Sequence, residues 1–285
     1  MKIGIAGGGA LGLLFASYLM EGGHKIHIWT RSPKQAEVLN EEGITRENNV
    51  YNNLTASSTL FEENVDAVII AVKQYDLTEV FDTGLPDCPV LFIQNGMGHQ
   101  DKAREQHTNP LFAVVTHGAM KNAPAHVTHT GLGEIIMGGS SKANPLAHAM
   151  LALKEPFSAR WTDDIIIAMK KKLIVNAVVN PLTVIYEAQN KILLSNKEAW
   201  ERAQILFKEA ALVLDLPLSE WENVNKVIEK TRENRSSMLV DFLERRQMEL
   251  DSINGYIVKE AERKGQKASA HENIMEEILR KEKDR

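Results

Sequence analysis

Gly7, Gly9 and Gly12 stand at the spacing G-x-G-x-x-G directly after a short apolar run holding Ile3 and Ile5. Leu11, Leu13, Leu14, Ala16 and Leu19 then continue in a helical pattern. Glycines placed where a strand turns into a helix suit the binding of a dinucleotide pyrophosphate. Gly7 permits the tight turn, Gly9 lets the backbone approach the phosphates, and Gly12 lets helix and strand pack closely. The helix start adds free N–H groups and partial positive charge. The loop Gly7, Gly8, Gly9, Ala10, Leu11 and Gly12 is therefore the expected phosphate cradle. Arg31 follows Gly12 by 19 residues, after the second strand, in the sequence Thr30-Arg31-Ser32. An acidic residue there would bind a ribose 2′-hydroxyl, whereas a guanidinium can grip a 2′-phosphate. NADP(H) is the expected cofactor, the competing reading being a solvated surface arginine. Lys73 ends another strand, on the side of the sheet where ligands bind.

A second group lies far along the chain. Lys172, Asn176 and Asn180 recur every four residues and so share one helix face. Their neighbours Leu173, Ile174, Val175, Ala177, Val178 and Val179 are apolar. Buried polar groups are costly without partners, so the stripe faces either a polar cleft or solvent at a proline break. Pro181 removes a helix hydrogen bond and disfavours helical geometry at Asn180. A kink there would leave backbone groups free.

The elements that position these residues can be read in outline. Residues 25–30, 65–72, 90–94 and 111–116 are apolar strand-like runs, and residues 33–40 and 145–153 are helical in pattern. Strands alternating with helices predict an α/β fold, a doubly wound parallel sheet of the Rossmann type. Residues 43–58 read as an irregular or hairpin excursion, and 123–139 as short antiparallel strands closing the sheet. From Asp163 the pattern is helical almost throughout. The expected division is a dinucleotide-binding domain, residues 1–163, and an all-helical substrate domain, residues 164–285. Lys170 and Lys171 are expected to face solvent, as is the charged stretch 276–285.

The 285 residues carry a net charge of −5, which disfavours a nucleic-acid partner. Cys88 is the single cysteine, so no internal disulfide or cysteine metal site can form. His126 and His129 lack acidic partners in sequence and read as structural; no metal site is expected. Residues 3–20 are free of charge but hold five glycines, a poor membrane helix and a poor signal peptide. The expectation is a cytoplasmic protein with no membrane partner, monomeric or homodimeric.

The chain resembles the ketopantoate reductase (2-dehydropantoate 2-reductase) family. The resemblance rests on Gly7–Gly12, Arg31, Lys73, Gln94-Asn-Gly-Met-Gly98, His129-Thr-Gly-Leu-Gly133, Lys172–Thr183, Ser236-Ser-Met238 and Glu249–Gly255. It implies NADPH-dependent reduction of a small 2-keto acid, ketopantoate, to pantoate, on the route to pantothenate and coenzyme A. Carried over by position, Lys172 matches the catalytic lysine that donates a proton to the ketone, and Glu249 the acidic residue that assists it. Asn95, Asn176, Asn180 and Ser237 match substrate-contacting positions. Asn95 also lies near the nicotinamide in the family, and Arg31 and Lys73 match cofactor-side positions. One straight helix would hold Ser237 and Glu249 about 18 Å apart, so a helix start or bend between them is expected. Residues 188–194 lack the glycine common in the family, and residues 265–269 lack its usual proline. Those departures keep open a same-fold reductase of another 2-keto acid. A non-catalytic dinucleotide-binding regulator is the remaining alternative, against which Lys172 and Glu249 are both present. Two domains around a common site would also predict hinge closure.

Overall fold

The computed structural model describes residues 1–285. Twelve strands and twelve helices follow in chain order. The first half holds β1 (Lys2–Ala6), α1 (Ala10–Glu21), β2 (Lys25–Trp29), α2 (Pro33–Glu42), β3 (Ile44–Arg46), β4 (Asn49–Tyr51), β5 (Leu54–Ser57), β6 (Ala67–Ile70), α3 (Leu77–Thr83), β7 (Val90–Phe92) and α4 (Gln100–Gln106). Then come β8 (Leu111–Val115), β9 (Gly118–Ala123), β10 (His126–Gly131), β11 (Ile135–Gly139), α5 (Pro145–Leu151) and β12 (Ala159–Trp161). The remainder is helical: α6 (Ile165–Ile185), α7 (Ile192–Ser195), α8 (Lys197–Val213), α9 (Trp221–Lys230), α10 (Ser237–Leu243), α11 (Leu250–Arg263) and α12 (Ser269–Lys283). The chain separates into two compact units, one of residues 1–94 and 99–166, the other of residues 95–98 and 167–285.

The first unit is built on an eight-stranded sheet in the order β12-β11-β8-β7-β6-β1-β2-β5. From β5 to β8 all neighbours are parallel. This is the doubly wound order, which reverses between β1 and β6, and ligands bind beyond the strand ends at that reversal. The segment 123–139 departs from expectation. Only β11 closes the large sheet, antiparallel to β8. β10 instead joins a separate four-stranded sheet, β4-β3-β10-β9, together with the hairpin from residues 44–51. The second sheet explains the charge-free N-terminal stretch. α1 contacts β1 and β2 of one sheet and β3, β9 and β10 of the other, so Gly12 to Met20 are all buried. A helix covered on every side is apolar on every side.

Helix starts follow local chemistry. Ser32, Asn144, Asn196 and Ser236 each accept a backbone N–H as N-caps of α2, α5, α8 and α10. Pro33 and Pro145 occupy first helical positions, where a missing N–H costs nothing. In the second unit α11 and α12 pack together and against α8, burying Leu206, Phe207, Ile253, Ile257, Ile274 and Ile278. The polar stretch from Glu244 to Glu249 ends α10 and separates it from α11, so Ser237 and Glu249 do not share a helix. Pro181 lies inside α6 without ending it. No helix is long and apolar enough to cross a membrane.

Three imidazoles are buried neutral. Burial lowers His99 to about 3, with Arg104 adding to the shift. Burial and the neighbouring His129 lower His117 to about 4. Burial lowers His271 to about 4, against a hydrogen bond to Leu206. His129 itself is held between Tyr18 Oη (2.8 Å) and His117 Nδ1 (3.0 Å). Each group binds protons more readily unfolded, so its contribution is complete above the unfolded value of about 6.5 and fades as pH falls toward 4. Denaturant midpoints should therefore drop clearly between pH 7.5 and 5, with His271 alone worth on the order of 2–3 kcal/mol at the acid end. A midpoint constant over that interval would contradict the assignment of neutral buried imidazoles.

Candidate active site

In the first unit the glycine loop has a specific steric form. Gly7 has φ +120°, and a Cβ there would stand 2.8 Å from the backbone of Ala71 and Val72 beyond β6. A Cβ on Gly12 would overlap the Gly7 carbonyl oxygen. Around Gly9, in contrast, a Cβ would meet nothing within 4 Å. Gly9 is the N-cap of α1 and supplies no side-chain cap, and the first turn carries no acidic residue. The start of α1 thus lies beside a position open at Gly9, and the unpaired N–H groups of a helix start favour an anion. Gly8 is buried and Ala10 and Leu11 are half-buried as the helix begins.

The loop is tied from both sides. Gln35 Nε2 donates to the Gly8 carbonyl at 2.7 Å, and Lys121 Nζ donates to the same oxygen at 3.2 Å. Thr30 Oγ1 donates to Gln35 Oε1 at 2.8 Å, which links the loop to the tip of β2. Burial lowers the pKa of Lys121. This lysine, on β9, is a cation beside the cradle that sequence reading missed, because its approach depends on a sheet pairing set far along the chain. Arg31 is 70% exposed at the side chain, and its Nη1 donates to Asp76 Oδ1 at 2.8 Å. Lys73 caps the short turn Gln74–Asp76 after β6. Gly7, Arg31 and Lys73 therefore all lie just beyond the C-terminal ends of β1, β2 and β6, which are adjacent.

In the second unit the polar stripe of α6 is not a solvent face. Asn180 is 5% exposed, and its Nδ2 is a buried donor without a partner. Lys172 and Asn176 are half-buried. Loss of hydration pulls the Lys172 ammonium down to about 8, opposed by the Glu249 carboxylate, which favours the charged form. Glu249 is buried at the N-cap of α11 and accepts a hydrogen bond from Asn95 Nδ2 at 3.2 Å. The Asn95 turn is fixed against α11. Gly96 has φ +81°, and a Cβ there would overlap the Ser252 carbonyl oxygen. Lys172, Glu249 and Asn95 thus form one group.

Ser237 enters differently. It is the exposed first residue of α10. Its neighbour Ser236 is the cap, and the Ser236 and Thr183 hydroxyls meet at 2.6 Å. Thr183 Oγ1 donates to the Asn180 carbonyl at 2.7 Å, so the start of α10 is tethered beside the end of the polar stripe. Lys170 and Lys171 are paired with Asp215 (3.6 Å) and Glu220 (2.5 Å) rather than free in solvent.

The chemistry open to this group is specific. An ammonium near 8 is charged at neutral pH yet gives up its proton readily. Placed beside a carbonyl oxygen, it stabilises negative charge developing there. An amide donor orphaned in the interior suits an acceptor brought by a ligand.

Comparison with known proteins gives a consistent result. Residues 3–142 match the family model Ketopantoate reductase PanE/ApbA, and residues 164–282 match its C-terminal counterpart. A 2-dehydropantoate 2-reductase of Bacillus subtilis is 36% identical over 275 residues, 93% of this chain and 92% of that protein. One from Yersinia pestis is 31% identical across 100% of this chain and 96% of that protein. The crystal structure of a probable 2-dehydropantoate 2-reductase from Bacillus subtilis superposes with a TM-score of 0.88 at 34% identity, covering 98% of this chain and 99% of that one.

Proposed function

The chain belongs to the ketopantoate reductase family, and from that membership and the geometry of the site we propose that it reduces 2-dehydropantoate to pantoate with NADPH. The observation that carries the reading is the desolvated Lys172, held charged by the buried Glu249 carboxylate, on the helix stripe that ends in an unpartnered Asn180 amide.

The cradle of the first unit fits the cofactor. Gly9 and the start of α1 would hold the pyrophosphate, with Lys121 adding positive charge and Arg31 and Lys73 on the side of the 2′-phosphate. Bound NADPH supplies the hydride. The protein supplies orientation and charge. Lys172 hydrogen-bonds the keto oxygen, stabilises the alkoxide forming there and gives it a proton. Glu249 keeps that ammonium charged before the reaction, and Asn95 holds the Glu249 carboxylate. Asn176 and Asn180 bind the substrate's carboxylate end, Asn180 through its free Nδ2, and Ser237 adds a hydroxyl. The buried Asn180 Nδ2, which has no acceptor in the protein alone, gains one from the substrate.

A panel of 2-keto acids assayed with NADPH tests the substrate. Ketopantoate should exceed the others in kcat/KM by at least about tenfold, a margin that one or two specific polar contacts can supply. A different keto acid leading the panel would move the assignment within the fold. Cofactor preference is tested separately. Arg31→Ala should raise KM for NADPH by about 10- to 100-fold, the loss of charge-assisted hydrogen bonds to a phosphate, and leave KM for NADH within about twofold. Equal use of both cofactors by the unaltered protein would contradict the role of Arg31.

A further inference from the structure

Proline at position 181 has no N–H, so α6 has no backbone donor for the carbonyl four residues earlier, that of Ala177. Ala177 is fully buried and sits between Asn176 and Asn180 in the sequence, on the turn of helix that carries both. A buried carbonyl left open would be costly. Asn254 on α11 fills the gap, its Nδ2 donating to the Ala177 oxygen at 2.9 Å. Asn254 is 0% exposed. Its second amide hydrogen goes to His271 Nδ1 on α12, at 3.0 Å.

The direction of these bonds is fixed by chemistry. His271 Nε2 lies 3.1 Å from the Leu206 carbonyl, which can only accept. The ring of the neutral imidazole therefore carries its proton on Nε2, and Nδ1 is an acceptor. An acceptor at Nδ1 and a carbonyl at Ala177 require the amide nitrogen of Asn254, not its oxygen, to face both. His271 is itself anchored, since Glu209 on α8 accepts the backbone N–H groups of Ala270 and His271 at 3.1 and 2.9 Å.

We propose that Asn254 and His271 are positioning residues for the reaction: they complete α6 at its proline gap and so set the direction in which Lys172, Asn176 and Asn180 point. The helix keeps its course through Pro181 because a side chain from another helix replaces the missing donor. Asn254 stands five residues after Glu249 on the helix whose cap that glutamate forms. One helix thus supplies both the charge that acts on Lys172 and the bond that aligns its helix.

The inference rests on the reading of α6 as the substrate-binding helix, and its test is arranged so that the two can fail separately. Pro181→Ala restores a backbone donor for Ala177 and makes Asn254 dispensable. Asn254→Leu should lower kcat/KM for ketopantoate by about 10- to 100-fold, with KM for NADPH within about twofold, and should lower the melting temperature. Pro181→Ala alone should stay within about threefold of the parent. The double variant Asn254→Leu/Pro181→Ala should recover at least tenfold in kcat/KM and most of the melting temperature. Asn254 acting only by packing would not be rescued by a proline replacement far away in the sequence on another helix, so a double variant as impaired as Asn254→Leu overturns the proposal. If Asn254→Leu does not fold, His271→Leu, which frees the Asn254 amide to rotate, replaces it in the same cycle. Activity unaffected by His271→Leu would then be the contrary result. Absence of ketopantoate turnover by the unaltered protein counts against the substrate reading, and the melting-temperature cycle still decides the link between Asn254 and Pro181.

Discussion

Lys172→Ala is expected to lower kcat for ketopantoate reduction by on the order of 10³-fold, with KM for NADPH unchanged. Removing one preorganised donor to a developing oxyanion costs about 10²–10³. Loss of a positioned proton donor also falls in the range of about 10²–10⁴. In the proposed reaction one side chain does both. The proposed cofactor contacts are the glycine loop, Arg31, Lys73 and Lys121, so dinucleotide binding measured by fluorescence should be intact in the variant. A kcat within tenfold of the parent would remove Lys172 from the chemistry.

The second large effect is expected at Glu249. Glu249→Gln keeps an oxygen to accept the Asn95 amide seen at 3.2 Å while removing the negative charge. That charge opposes the desolvation that lowers Lys172 to about 8. Without it, the ammonium pKa falls further, a smaller share of the enzyme is protonated at neutrality, and kcat/KM drops by about 10- to 100-fold. The sign is testable apart from the size. Activity requiring protonated Lys172 falls as pH rises through its pKa, and in Glu249→Gln that alkaline limb must move to lower pH. An alkaline limb that stayed in place, or moved upward, would show that Glu249 does not act through the lysine.

The parts of the site that sequence made legible are those whose physics is local. Gly7 and Gly12 are required by contacts within a few residues or with the neighbouring strand, and the strand–turn–helix context can be recognised in ten residues. The shared face of Lys172, Asn176 and Asn180 follows from helical periodicity, although its burial does not. An exposed face with a proline break was equally open until Asn180 proved buried. Glu249, Asn95 and Ser237 carry no local signal; only resemblance to a family picks them out. Lys121 escaped both routes, and Asn254, although inside the motif Glu249–Gly255, received a role from neither. The need for a donor at Ala177 is implicit in Pro181, but the residue that meets it stands 77 positions later and is chosen by helix packing.

The fold shows the same division. Long apolar strands were readable because burial on both faces removes all polarity from them. The partition of residues 123–139 between two sheets was not, since β10 pairs with β3 and β11 with β8, partners chosen by packing between segments far apart in the chain. β12, three residues from Ala159 to Trp161, is too short to show a period. The five glycines of the charge-free segment at the N-terminus argue against a lipid surrounding, but that two sheets cover its helix is not written in the segment itself.

The most direct measurement follows the hydride. Ketopantoate is incubated with the protein and NADPH carrying deuterium on the reactive face of C4, and the product is examined by NMR and mass spectrometry. The account predicts pantoate with one deuterium at C2, formed at a rate that collapses in Lys172→Ala. Ketopantoate left unchanged while NADPH remains bound, or pantoate without deuterium, would contradict it.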